Sequence, residues 1–66
     1  NYSVQSSELI IDDQKENITL ILDIDTAFGS VMDYFEIFLG RMMLCRKAAD
    51  KLGMTFRLVI NEQQFI

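Results

Sequence analysis

Two aspartates separated by one residue, Asp23-Ile24-Asp25, stand at the end of an apolar run and are followed at once by Thr26. Paired carboxylates at the C-terminal end of a strand are a common seat for Mg²⁺ or for an aspartyl nucleophile. The haloacid-dehalogenase phosphatases place Asp-x-Asp-x-Thr there. Here the threonine follows without the spacer, and the chain is too short for that fold, so the plainer reading is a polar strand end plus a helix cap. Asp12 and Asp13 cannot join the pair, because hairpin pairing sends them to the opposite end of the same strand. The enzymatic alternative is a metal-dependent phosphoryl or nucleotide enzyme that uses Asp23 and Asp25 across a dimer.

The other reactive side chains point to chemistry no better. Ala27-Phe28-Gly29-Ser30 precedes a helical run and can offer backbone N–H groups to an anion, but it lacks the Lys and extra Gly of a phosphate loop, and the neighbouring acids repel phosphate. Thr26 or Ser30 at a helix start is a candidate for phosphorylation. The layout there is similar to that of small regulatory α/β domains of the anti-anti-sigma kind, without a matching motif. Cys45 is the one cysteine and there is no histidine. A Cys–His nucleophile and an ordinary Cys/His zinc site are therefore excluded, as is an internal disulfide. Cys45 reads as a small core residue. If the helix faced its own copy, that thiol could meet its symmetry mate. No catalytic residue, metal ligand or cofactor is assigned.

The element that positions these residues is the run Ser30–Leu52. Val31, Phe35, Phe38, Met42, Cys45, Ala49 and Leu52 recur in steps of three and four, which is one stripe of an α-helix. Met32 and Leu39 widen it. Ser30 with Asp33 forms a capping-box pattern, and Gly53 stands where a left-handed residue ends a helix. Such a helix is about 33 Å long, against a radius of gyration near ~11 Å for a domain of this size. It should overhang its sheet. Either it breaks at Gly40, or a second copy covers the overhang; the second is the expectation, since Tyr34, Ile37, Met43 and Leu44 lie off the main stripe.

Around it lie short strands. Glu8–Asp12 and Ile18–Ile24 pair as a hairpin with Asp12 opposite Asn17, which sets Leu9 against Leu20 and Ile11 against Ile18 on one face. Thr55–Ile60 buries Phe56, Leu58 and Ile60. A strand–helix–strand crossover is right-handed, so the third strand runs parallel to the second, beside it or beyond the first. The expectation is a single small α/β (α+β) domain over 1–66 of order β-β-α-β: a three-stranded mixed sheet with one long helix on one face. Segments 1–6 and 61–66 are expected to be flexible or to continue into further sequence.

Composition sets the outer limits. The chain has 66 residues, is half hydrophobic, and carries a net charge of −4. It is too apolar for disorder, too small to be more than marginally stable alone, and without a membrane span. Its charge is uneven: residues 1–36 carry eight acids against Lys15 alone, or −7, and residues 37–66 carry five bases against two acids, or +3. The overall acidity disfavours nucleic acid, and the polarity suits antiparallel self-association.

With an internal disulfide and a Cys/His zinc site excluded, oligomerisation is the support left to so small a domain. The function expected is that of a non-enzymatic regulatory or adaptor module that binds another protein, forms a homodimer through its helix, and works in the cytoplasm. Tyr34, Ile37, Gly40, Arg41, Met43, Leu44 and Lys47 are the interface candidates. Ile10, Ile21 and Val59, on the far face of the sheet, form a second patch. The first alternative is a subdomain of a larger protein, since the chain begins with Asn and not Met.

Overall fold

A computed structural model describes residues 4–27 and 29–66. Among these residues four strands and one helix follow in the order β1 (Val4–Asp12), β2 (Asn17–Ile24), α1 (Val31–Leu52), β3 (Thr55–Ile60) and β4 (Gln63–Gln64). They make a mixed sheet of order β1-β2-β3-β4, with β1 antiparallel to β2, β2 parallel to β3, and β4 antiparallel to β3.

The hairpin register is the expected one: Leu9 faces Leu20, Ile11 faces Ile18, and Asp12 faces Asn17. Its four-residue turn is held by Asp12, whose Oδ1 accepts the N–H groups of Gln14 (3.1 Å) and Lys15 (3.0 Å). Glu16 closes it at φ +55°, the left-handed region that L-residues enter at a cost of about 1–2 kcal/mol. β2 then reads as strict alternation, with Ile18, Leu20, Leu22 and Ile24 all buried. The crossover places β3 beside β2, and Phe56, Leu58 and Ile60 join the same core.

α1 is continuous through Gly40 over 22 residues. At Ser30 the Asp33 carboxylate reaches back to accept both the backbone N–H (2.7 Å) and the hydroxyl (3.1 Å). At the other end Gly53 takes φ +69°, and Met54 N–H donates to Ala49 O at 2.8 Å, a left-handed stop. The stripe that meets the sheet is Tyr34, Phe38, Met42 and Ala49, flanked by Val31, Phe35 and Cys45. Two expectations are corrected here. Tyr34 is core, 6% exposed, and Leu52 is 62% exposed. The two residues stand about five whole turns apart and so share one line along the helix; the fold covers that line at Tyr34 and leaves it open at Leu52.

The sheet has one strand more than expected, and the last six residues are not a free tail. Asn61 and Glu62, at φ +50° and +67°, make the two-residue turn that fits the twist of a tight hairpin. Gln63 and Gln64 then pair with Ile60 and Val59, and the Phe65 ring meets Phe35 edge-on at 6.0 Å. Val4–Ser6, expected to be loose, belong to β1, with a register shift between Val4 and Ser6.

A helix about 10 Å across spans roughly two strands spaced near 4.8 Å. α1 lies over β2 and β3, so it covers half of the sheet. Arg41 donates to Ser7 Oγ at 3.2 Å, which turns that flank of the helix toward β1, while Phe35 turns the other flank toward the β4 side. β1 stays uncovered. Leu9 and Ile11 share the face of Leu20 and Ile18, yet are 51% and 55% exposed.

Candidate interaction surfaces

The acidic end of β2 is built by the chain reversal after β3. Asn61 carries it: Oδ1 accepts Ile24 N–H at 2.8 Å, Nδ2 donates to Ile24 O at 3.1 Å, and the Asn61 backbone N–H donates to Leu22 O at 2.9 Å. The amide thus pairs with the last residue of β2 as a further strand residue would. Ser6, Asp23, Asn61 and Glu62 line an open depression of about 350 Å³ beside it. The two aspartates are engaged separately. Asp23 Oδ2 accepts the Ser6 hydroxyl (2.8 Å), and Asp25 Oδ1 accepts Ala27 N–H (2.9 Å) in the turn that leads to the helix. Among the described residues no three Asp, Glu, Cys or His side chains converge as a metal site would require. Gly29 and Ser30 close onto the Asp33 carboxylate, which occupies the helix entry that an anion would need; Phe28 lies outside the described residues.

The interface candidates on α1 divide. Tyr34 is buried, and the side chain of Ile37 is outside those described. Arg41 sits on the β1 flank. Gly40, Met43, Leu44 and Lys47 share the outward face, with Met43 55% and Leu44 70% exposed. A Cβ added at Gly40 would meet nothing within 4 Å, so the glycine serves no contact inside the chain. Met32 (64%) and Leu39 (48%) continue the exposed apolar surface on the side away from β1. Cys45 is half-buried against the core and points away from this outward face.

On the far face of the sheet Ile21 and Val59 are direct neighbours in the β2–β3 register, and Ile10, opposite Thr19, is diagonal to Ile21. The sheet therefore brings the second patch together. Ile10 is 42% exposed and the other two are half-buried.

The surface that pattern reading missed lies between β1 and α1. β1 and α1 run in the same direction, since both oppose β2. From the Arg41–Ser7 contact onward, Ala48 and Leu52 follow Arg41 along its flank at helical spacing, while Leu9 and Ile11 follow Ser7 at strand spacing. Register and helical spacing thus set the exposed Leu9 and Ile11 alongside the exposed Leu52, with an open apolar trough between β1 and α1. The signal was present in the strict period of β1. The number of strands one helix can cover is what leaves those residues exposed, and that belongs to no local stretch.

No described helix is long and apolar enough to cross a membrane. Compared with known protein families, curated proteins and solved structures, the chain matches none.

Proposed function

We propose that this domain is a non-enzymatic protein-binding module of a regulatory or adaptor kind, and that it self-associates through the outward face of α1. The observation that carries the reading is the exposed row Gly40, Met43, Leu44 and Lys47 on an unbroken helix. An antiparallel pair of such helices is self-complementary: with Met43 opposite Leu44 of the second copy, Gly40 meets Lys47 and Glu36 meets Lys51. Gly40 allows close approach of the backbones, and the opposite charges at Glu36 and Lys51 fix the direction. The acidic first half of the chain then lies beside the basic second half of its neighbour.

Soluble action in the cytoplasm fits a lone cysteine and four methionines. The engaged, separate states of Asp23 and Asp25 favour the binding reading over phosphoryl chemistry.

Light scattering behind a sizing column, over a dilution series with reductant, tests the association. The expected mass is twice 7.7 kDa, reduced to the single-chain mass by Leu44→Glu with the circular dichroism unchanged. A wild-type monomer at every concentration, or a Leu44→Glu dimer, would overturn the helix interface. Chemical shifts of Asp23 and Asp25 that move on Mg²⁺ titration would reopen the enzymatic reading.

A further inference from the structure

The two edges of the sheet differ. The β4 edge is two residues long, a short and blunted edge. The β1 edge is nine residues long, contains no Pro and no Lys, and among the described residues pairs with β2 alone. Seven of these residues, Ser6–Asp12, lie in continuous register beyond the irregularity near Val4. A flat, partly apolar edge of that length presents alternate unpaired N–H and C=O groups and is a template for another strand.

Its two faces differ in charge. Toward the helix, Leu9 and Ile11 floor the open trough beside the Ala48 and Leu52 flank of α1. Toward the far face stand Glu8 and Asp12 on either side of Ile10, with Asp23 beside Ser6 in the next strand. The base on that face, Arg57, is two strands away from β1.

We infer that the β1 edge binds an extended peptide segment of a partner protein, added as a fifth strand, in which apolar residues alternate with lysine or arginine. The apolar row of the incoming strand lies over Leu9 and Ile11 and extends the cover of the trough. The basic row stands beside Glu8 and Asp12. Charge argues against a second copy of β1 in this place. Antiparallel self-pairing about Leu9 sets Glu8 and Asp12 of both copies on one face, diagonal to one another at about 7–8 Å with no base among them. Self-pairing about Ile10 sets Glu8 directly opposite Asp12. The inference rests on the sheet edge and not on the helix face, so it stands or falls apart from self-association through α1.

The test uses the full chain and a short, end-blocked peptide of alternating lysine and valine. Fluorescence anisotropy reads the affinity, and amide hydrogen exchange by NMR reads the place. Saturable binding with new protection of alternate amides within Ser6–Asp12 is expected. Glu8→Lys should weaken it by about tenfold and strengthen binding of the glutamate–valine counterpart. Leu9→Ser should weaken both, and Leu44→Glu, which tests the helix interface, should leave protection in β1 in place.

Four controls can overturn the proposal. Equal binding of the glutamate–valine peptide would remove the charge argument. Equal binding of a block peptide of the same composition would reduce the effect to unspecific attraction. Equal binding of a fully N-methylated peptide would exclude a strand ladder. Protection of β1 amides that grows with protein concentration in the absence of peptide would mean that a second copy occupies the edge.

Discussion

Asn61 meets two structural demands in one residue. It sits at φ +50° in a two-residue turn, and its amide satisfies both backbone groups of Ile24. The two demands separate by substitution. Asn61→Gly keeps the backbone conformation accessible and deletes the two amide bonds, at an expected loss of about 1–2 kcal/mol. Asn61→Ala deletes the same bonds and adds the left-handed penalty, so it should be the less stable by about a further 1 kcal/mol. Urea unfolding of the two variants measures the difference; equal midpoints would show that the turn conformation carries no cost. A residue-scale prediction of the opposite sign concerns Gly40. It lies mid-helix with open space around its missing Cβ, so Gly40→Ala should raise the stability of the dilute protein by about 1 kcal/mol. A loss would mean that the helix is bent or crowded there.

At the scale of the element, α1 and β1 show how a correct local pattern leaves its partner undecided. The capping signal Ser30–Asp33 and the stop at Gly53 bound the helix in the sequence and in the fold. Asp33→Ala removes the carboxylate that holds the Ser30 N–H and hydroxyl and that suits the positive end of the helix dipole. A loss of about 1 kcal/mol is expected in thermal or denaturant unfolding, and partial rescue by Asp33→Glu would identify the reach-back bond as the cause. β1 has the alternation and register that its sequence specified, with Leu9 and Ile11 on the core face. Yet the element that would bury them is absent from the described fold. Reading a strand's face gives its direction relative to the sheet, not whether a helix lies over it.

The whole molecule measures 37 × 20 × 16 Å, with a radius of gyration of 12.2 Å, and the long dimension is set by the helix. Its core is a single cluster of β2, β3 and α1, and Leu22 and Ile60 are wholly buried in it. A domain of 66 residues has a total stability of about 3–10 kcal/mol. Leu22→Ala, at about 2–5 kcal/mol, should therefore take most of that stability and leave a visibly unfolded fraction by circular dichroism at room temperature. If α1 self-associates, the melting temperature of the wild type should rise with protein concentration, because dimerisation draws the folded state by mass action, while that of Leu44→Glu should not.

What the sequence determined by itself was whatever is encoded within one element or between neighbours in the chain. Alternation in β2, the Asp12–Asn17 hairpin, the helix bounds, and the parallel crossover of β3 all follow from periods, caps and a chirality rule acting over short range. The absence of His and the single Cys in the sequence likewise settle which zinc sites and nucleophilic pairs are excluded. Only the tertiary structure decided that Tyr34 and not Leu52 is buried, because the two share one line along the helix about five turns apart and only the fold decides which end of that line is covered. Only the fold showed that Asn61–Ile66 return as a turn and a short strand. That segment has little apolar pattern of its own, and its place comes from the side-chain amide of Asn61 and from Phe35, a residue of the distant helix. And only the fold left β1 without a cover, since one helix spans two strands and four are present.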